Sequence, residues 1–466
     1  MIFTDYFFLV LFFPVFLITY LLVYKTIPLA NIIIVLFSLL FYASFGLENL
    51  PILLVPLVLD FFVGLIIFKI KRKSIKKYVL ITAIFFNLGL LAYYKYTGFF
   101  INNLSLFLFW DISQYKIFQN VVAPIGISFI TFQRISYIVD IYRTKIEPTR
   151  NFLNYFTYAS LFPHLISGPI VRFSQIKDQL SQRTLNTNKI FDGSKYFVFG
   201  MLFKVLIANQ LFILEEALIK DMMNSNFIQS FLLMLIFSFR IYFDFLGYSF
   251  IAVGLAKYMG FDFPINFNAP YQATSITDFW RRWNITLSTW LRDYLYVPLG
   301  GNRKGKIRTY INLFFTMLLG GLWHGASWNF IIWGFMHGTF LVMERFFIDT
   351  KFKYVFPAIL SRIYSFIIIN LLWIIFRFPN NQDIQILFSS LLNFKVESFN
   401  SEIINALCFS APAIGVAIIW SFFLNENMIK DLKPRVPVAV GLLIAFLFII
   451  AYSLIRKDVP FIYFQF

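Results

Sequence analysis

The sequence predicts an all-α, polytopic bundle of transmembrane helices. Of its 466 residues, 59% are hydrophobic, 21% are aromatic and only 14% are charged. A water-soluble globular domain carries about 25% charged residues, so this chain has too few charges to cover a soluble surface. Its mean hydropathy of +0.73 agrees with burial in lipid. We expect about ten or more helices, several of them short or re-entrant.

Nine apolar segments account for most of this expectation, because each approaches the length needed to cross roughly 30 Å of hydrocarbon. They lie at residues 6–24, 28–46, 50–68, 78–94, 227–255, 310–346, 363–376, 404–424 and 436–455. No basic leader precedes the first segment and no small-residue cleavage site follows it. We therefore expect the first helix to be retained rather than removed as a signal peptide.

The basic residues predict the orientation of these segments. Short loops rich in lysine and arginine stay in the cytoplasm, and six such residues lie between Lys69 and Lys77. This cluster places the amino terminus outside. A second basic loop, from Lys430 to Arg435, places the tail at 456–466 outside. The net charge of +17 is explained by topology, because the charges lie beside apolar segments and no nucleic-acid recognition motif is present.

No linker or internal repeat divides the chain. We predict a single integral membrane domain over residues 1–466, with its core at 121–346 and further spans and a tail at 363–466. Within the core, residues 121–301 mix Gly, Pro and polar side chains with aromatics. Irregular polar backbone at membrane depth is tolerated only where it is buried in protein or lines a wet cavity. The middle of the chain should therefore enclose a cavity.

His324 is the first candidate for chemistry. It is the only residue with an ionisable side chain between Tyr310 and Met336. An ionisable group at membrane depth costs at least a few kcal/mol unless it is paired or hydrated, which marks it as a functional candidate. The alternative is a neutral core histidine whose N–H has found an acceptor.

The other two histidines have different expectations. His337 follows His324 by 13 residues, which is about 20 Å along an unbroken helix, so the two should not converge on one atom. A supporting role for His337 requires a bend between them. His164, beside Pro163, is expected to be structural. The spacing of the histidines does not fit a metal site, and we predict none.

Further reactive or charged groups lie in apolar surroundings. Arg240 and Asp244 are four residues apart, which predicts an ion pair along one helix, and Asp60 is another intramembrane charge. Cys408 is the only cysteine, so an intramolecular disulfide is impossible. No base lies near it in the sequence, which argues against a catalytic thiol.

Residues 278–294 predict an amphipathic, Trp-rich helix that begins with an acidic turn. One interpretation is an interfacial helix, with its tryptophans at headgroup level and its arginines on lipid phosphates. That interpretation does not explain the specific order of the residues in this segment.

Three motifs carry a family resemblance: Phe279–Trp283 (FWRRW), Ser288–Arg303 (STWLRDYLYVPLGGNR) and Gly321–Ala326 (GLWHGA). Together they closely resemble the membrane-bound O-acyltransferase (MBOAT) family, in the branch of alginate O-acetylation proteins and peptidoglycan O-acetyltransferase membrane subunits. The resemblance extends through residues 124–129 and 167–173 and covers nearly the whole chain.

The resemblance implies helices around a central funnel or tunnel, where a cytoplasmic acyl thioester meets an acceptor from the other side. It maps the family's catalytic histidine onto His324, and an imidazole can take the proton of a hydroxyl that attacks a thioester. Asn284 stands where close alginate-type relatives usually carry histidine; an amide can orient substrate but cannot shuttle a proton. Candidate substrate-binding residues are Trp323, Arg281, Arg282, Arg292 and Asp293.

The tail adds another candidate. Residues 461–466 have the spacing Phe-x-Tyr-x-x-Phe, which resembles the terminal motif of the small membrane peptide that accompanies the D-alanyl-transfer MBOAT protein. The resemblance implies that Tyr463 accepts an acyl group and passes it outward. The alternative is an aromatic residue of the membrane interface.

These expectations combine into one function. They describe an O-acyltransferase of the bacterial inner membrane that moves an acyl group towards an extracytoplasmic polysaccharide such as peptidoglycan or alginate. The expected acyl group is acetyl, and the expected donor is acetyl-CoA. We expect no bound cofactor and no nucleic acid. The expected partners are membrane lipids, the thioester donor and a periplasmic or extracellular acetyltransferase. The alternatives are a passive carrier or flippase for a lipid-linked intermediate, and D-alanyl transfer by the same fold.

Overall fold

The computed structural model describes residues 1–108, 121–350, 357–394, 398–455 and 459–464, and every regular element in these ranges is helical. The all-α prediction is confirmed. The α-helices are α1 Phe13–Val23, α2 Ile27–Ala43, α3 Asn49–Lys69, α4 Lys73–Leu108, α5 Ile127–Tyr142, α6 Phe152–Ser160, α7 Phe162–Leu165, α8 Phe173–Ile176, α9 Thr187–Met201, α10 Asn209–Lys220, α11 Phe227–Tyr258, α12 Ile276–Arg282, α13 Ile285–Leu291, α14 Lys306–His324, α15 Trp328–Asp349, α16 Ala358–Arg377, α17 Asn381–Leu392, α18 Ser401–Phe423, α19 Asn427–Lys430 and α20 Val436–Ile455.

Shorter helical segments join or extend these helices. Among the described residues, three have π-helical hydrogen bonding, at Phe8–Phe12, Leu202–Ala208 and Arg292–Tyr296. Three more in the same ranges are 3₁₀ turns, at Met222–Asn224, Pro270–Gln272 and Ile462–Phe464. A π-helical turn inside an α-helix frequently marks a functional position.

Within the described residues, eight helices are long and apolar enough to cross a membrane. One of them, 187–220, joins α9 and α10 through the π-helical turn, and the sequence did not predict it as a span. Lys195, Lys204 and Glu215 interrupt its apolar character, but all three are buried in the protein. The protein is therefore multi-pass, while the orientation of its spans stays a prediction.

The chain forms two compact units, residues 1–193 with 252–264, and residues 194–251 with 265–466. The first is built around α5, which packs against α3 and α4. Asp60 pairs there with Arg134, at 3.7 Å, and accepts a hydrogen bond from Asn87 at 2.9 Å. The His164 ring is buried and stacks on Phe263, with 5.4 Å between ring centroids.

In the second unit, the predicted ion pair between Arg240 and Asp244 is wrong. Arg240 pairs with Glu215 of α10, and Asp244 pairs with Lys204 of the π-helical turn, both at 2.7 Å. Glu215 and Asp244 are fully buried, and a buried charge is costly unless it is paired with good geometry, which a cation on a neighbouring helical segment provides for each acid. Glu215 also accepts a hydrogen bond from Arg377.

Candidate active site

The apolar segment predicted as one span at 310–346 is a hairpin of two helices. Helix α14 ends at His324, Gly325 is extended, and α15 begins at Trp328. The two helices touch through their backbones: a Cβ added to Gly321 would lie 2.3 Å from the Phe330 carbonyl oxygen. The break invalidates the assumption of a straight helix after His324, and it places this residue at the turn of the hairpin.

The imidazole of His324 lies in an aromatic environment and only 5% of the residue is exposed. Its ring centroid is 5.0 Å from that of Trp323, 5.1 Å from Trp333 and 5.3 Å from Phe376. These contacts exclude bulk water from most of the ring. A base in such surroundings is held in a fixed orientation for a reactant that enters the same space.

Tyr463 is the fourth ring beside His324, with 5.7 Å between the two ring centroids. The ring is half-buried and its phenol oxygen is buried. It packs on Phe245 and Phe461, at centroid distances of 4.8 and 5.5 Å. The structure thus brings together two sequence candidates that lie 139 residues apart.

The amphipathic helix predicted over 278–294 is broken at Asn284. Helix α12 ends at Arg282 and α13 begins at Ile285, while Asn284 has left-handed backbone angles, φ 41° and ψ 57°. Asparagine adopts this conformation more readily than most residues because its short side chain can hydrogen-bond locally. Here it does not do so: the side chain is 1% exposed, and neither amide atom has a hydrogen-bond partner among the described residues.

A buried amide without partners is costly, and its polar atoms are available to a ligand. The break that presents Asn284 is held by Asn266, which accepts hydrogen bonds from the backbone N–H of Ile285 at 2.9 Å and from Thr286 Oγ1 at 2.6 Å. Both contacts fix the start of α13. The left-handed residue is therefore part of a hydrogen-bonded junction between two short helices.

The tryptophans of this segment are buried in the protein, and the interfacial placement of the segment stays a prediction. Trp280 and Trp283 are 8% and 1% exposed, because they pack into the protein. Trp283 contacts Trp373 at 5.0 Å, and Trp373 stacks on Trp333 at 5.8 Å between centroids. This aromatic cluster connects the segment that carries Asn284 to Trp333, which is one of the rings beside His324.

His337 supports this cluster. Its Nδ1 accepts a hydrogen bond from Trp280 Nε1 at 3.1 Å, and its ring lies 4.5 Å from that of Trp333. Trp333 therefore contacts both His337 and His324. The two histidines flank one indole rather than converging on a shared atom, as the sequence predicts, and His337 positions the wall of the site.

Glu344 is a site-supporting residue that sequence reasoning missed. Its carboxylate accepts hydrogen bonds from the backbone N–H groups of Ile276 and Thr277, at 2.6 and 2.9 Å, and so caps the start of α12. The available signal was its spacing: Glu344 follows His337 by seven residues, which places both on one face of α15. Both residues hold α12.

The charged candidates for substrate binding are exposed or form ion pairs. Arg281 is exposed, Arg282 pairs with Asp278 at 3.0 Å, and Arg292 pairs with the neighbouring Asp293 at 2.7 Å. Their roles in binding stay predictions. Exposed arginines remain suited to an anionic donor or lipid phosphate.

Comparison with known proteins identifies the chemistry. A model of the membrane-bound O-acyltransferase family matches residues 143–378. A probable alginate O-acetylase of Pseudomonas aeruginosa is 36% identical over 447 residues, which cover 95% of this chain and 85% of the relative. The chain belongs to the membrane-bound O-acyltransferase family.

Two further members of the family extend the comparison. A peptidoglycan O-acetyltransferase of Helicobacter pylori is 38% identical over 376 residues, 74% of this chain and 71% of the relative. A teichoic acid D-alanyltransferase of Bacillus subtilis is 29% identical over 249 residues, 51% of this chain and 62% of the relative. The family assigned from the three motifs is confirmed, and this MBOAT protein is an O-acyltransferase. A passive carrier or flippase without bond chemistry is therefore excluded as its function.

Proposed function

We propose that this MBOAT protein transfers acetyl groups from acetyl-CoA in the cytoplasm to hydroxyls of an extracytoplasmic polysaccharide of the bacterial envelope. The relatives with the higher identity support acetyl as the acyl group, because their names specify alginate or peptidoglycan O-acetylation. The D-alanyltransferase aligns over a shorter part of the chain with lower identity. A periplasmic or extracellular acetyltransferase is the expected partner for the final transfer.

The contact between His324 and Tyr463 carries the mechanism. His324 takes the proton of the Tyr463 phenol while the phenol oxygen attacks the thioester carbonyl. The carbon–sulfur bond breaks, and the thiolate leaves with the proton returned by the imidazolium. The product is an acetyl ester on Tyr463.

The second step releases the acetyl group to an acceptor. A hydroxyl of the polysaccharide, or of the partner enzyme, attacks the acetyl carbonyl, and the bond to the phenol oxygen breaks. Phenol has a pKa of about 10, well below that of an alkyl alcohol, so it is the better leaving group. Tyr463 recovers its proton from the attacking hydroxyl, and the cycle closes.

We assign the Asn284 amide to the substrate carbonyl, because its N–H groups are buried and have no partner among the described residues. Replacing Asn284 by glycine should lower the turnover number roughly 100-fold, since one lost oxyanion donor typically costs this much. Glycine keeps the left-handed backbone, whereas alanine would add strain. The measurement is the rate of CoA release from acetyl-CoA by the purified protein. A glycine variant as fast as the parent would show that Asn284 serves only the helix junction.

The donor can be tested with purified protein in lipid vesicles. We expect His324-dependent release of CoA from acetyl-CoA, with radiolabelled acetyl retained on the protein, and no reaction with a D-alanyl thioester on a carrier protein. The same vesicles with His324→Ala give the background. Consumption of the D-alanyl thioester alone would replace acetyl by D-alanyl in the proposal.

A further inference from the structure

A buried ion pair in the second unit has no role in the chemistry described above. Lys204 Nζ lies 2.7 Å from Asp244 Oδ1, and each side chain is 1% exposed. Two charges buried at this depth carry a desolvation cost, and apolar residues of similar size would often be as stable. The pair is therefore a candidate for a function of its own.

Two glycines bring the pair together. A Cβ added to Gly200 would lie 2.7 Å from the Gly247 carbonyl oxygen, and one added to Gly247 would lie 2.8 Å from the backbone nitrogen of Lys204. The backbones of the two helices therefore touch. Lys204 lies one turn after the first glycine, in the π-helical turn, and Asp244 lies about one turn before the second.

Besides the ion pair, each of the two charged side chains makes a hydrogen bond with the backbone of the tail. Lys204 Nζ donates to the carbonyl oxygen of Val459 at 2.9 Å. The backbone N–H of Ile462 donates to Asp244 Oδ2 at 2.7 Å. Hydrogen bonds to charged groups are roughly twice as strong as those between neutral groups. The pair thus binds the tail at two points, through a carbonyl and an amide.

Aromatic contacts from the same helix complete the attachment. Tyr248 stacks on Phe461 with 4.5 Å between ring centroids, and Phe245 packs on Tyr463 at 4.8 Å. Both belong to α11, as Asp244 does. The backbone hydrogen bonds fix the position of the tail, and the ring contacts fix the direction in which the Tyr463 side chain points.

We propose that Lys204 and Asp244 form a docking site for the tail at residues 459–464, and that this docking site holds the Tyr463 phenol beside His324. The two charged residues are positioning residues, because they act through the tail backbone. The docking itself is independent of the reaction. Its consequence for acetyl transfer rests on the proposed relay through Tyr463.

Thiol labelling of the full-length protein in membranes tests the docking directly. Cys408→Ser removes the native thiol, and Ile462→Cys introduces one at a position that is 0% exposed in the docked tail while the backbone N–H is kept. Adding Lys204→Met should raise the rate of maleimide labelling by about tenfold or more, since the docked tail loses a hydrogen bond to a charged group.

Lys195→Met is the matched control. Lys195 is also buried in the same long helix, but its Nζ donates to the carbonyl oxygens of Lys430 and Leu432 rather than to the tail. Its loss should leave the labelling rate of the cysteine at position 462 unchanged. Equal labelling rates in the Lys204 variant, the Lys195 variant and the parent would overturn the proposal.

A double variant covers the risk of misfolding. Lys204→Met alone leaves the Asp244 carboxylate buried and unpaired, whereas Lys204→Met with Asp244→Leu removes both charges and is tolerated more often. The double variant should fold and still label about tenfold faster than the parent. A folded double variant with slow labelling would show that the aromatic contacts alone hold the tail.

An activity readout separates positioning from general damage. In the double variant, acetylation of Tyr463 should fall about tenfold or more, while hydrolysis of acetyl-CoA that depends on His324 persists with water as acceptor. Parallel loss of both activities would contradict positioning. Tyr463→Phe should label as slowly as the parent, so failure of the relay leaves the docking test intact.

Discussion

Replacing His324 by alanine should reduce acetylation of the envelope polymer to background while the protein remains folded in the membrane. In the proposed mechanism the imidazole is the base for the attack on the thioester and its protonated form is the acid for the leaving thiolate, and proton transfer by a positioned side chain contributes typically 10²–10⁴-fold. The cavity left by the ring is lined by Trp323, Trp333 and Phe376, which keep their other contacts. Acetyl ester released from purified polymer measures the effect, with the amount of membrane-embedded protein measured in parallel.

His164→Phe provides the matched control for this variant. His164 is also a fully buried histidine, but it lies in the other compact unit and stacks on Phe263. An aromatic replacement keeps that stacking and should leave polymer acetylation near normal. Near-normal acetylation in the His324→Ala strain would remove this imidazole from the mechanism.

The fold class could be predicted, and His324 and Tyr463 could be chosen as candidates, because their signals are local. A low charged fraction and long apolar segments specify membrane helices, and His324 is conspicuous because no other ionisable side chain lies between Tyr310 and Met336. The contact of His324 with Tyr463 could not be predicted. It depends on the tail docking on α11, which is a tertiary contact between distant segments.

Breaks within apolar segments were the main source of error. The turn after His324 is signalled only by Gly325 and Ser327, and the residues on both sides are apolar enough to read as one span. The left-handed residue Asn284 likewise ends a helix inside an unbroken amphipathic pattern. Periodicity reports which face of a helix is apolar, but it does not report where a single residue leaves the helical conformation.

Buried charges were the second reason why sequence predictions differed from the structure. Residues 187–220 were not predicted as a span because Lys204 and Glu215 interrupt the apolar sequence, and Asp244 was paired with Arg240 along its own helix. In the structure each charge is satisfied from a neighbouring helix. Sequence spacing identifies possible partners within a helix, whereas partners between helices depend on close approaches such as that of Gly200 and Gly247.

In the proposed function, a relay residue carries the acetyl group between a donor and an acceptor that lie on opposite sides of the membrane. The proposed donor is cytoplasmic and the acceptor is outside, while His324 is buried in the protein. In the proposed function, a tyrosine on a docked tail receives the acetyl group from the thioester beside His324. An acetylated phenol then serves as an activated ester for a polymer or partner enzyme that never contacts acetyl-CoA.

Replacing Tyr463 by phenylalanine is therefore expected to stop polymer acetylation. The substitution deletes one oxygen and keeps the ring that packs on Phe245 and beside His324. The docked tail and the base stay in place, so hydrolysis of acetyl-CoA that depends on His324 should remain. Tyr452→Phe is the matched control, because it deletes a phenol oxygen from α20 that contacts Gln210 rather than His324.

Mass spectrometry of the tail peptide provides the direct evidence. When the purified parent protein receives acetyl-CoA without an acceptor, one acetyl group should accumulate on the peptide that contains Tyr463, and hydroxylamine should remove it because it is a phenyl ester. The acetyl group should be absent from the tail peptide of His324→Ala, which lacks the proposed base, and from that of Tyr463→Phe, which lacks the proposed nucleophile. Unchanged polymer acetylation in the Tyr463→Phe strain would leave direct transfer from the thioester to the acceptor hydroxyl, with His324 as its base.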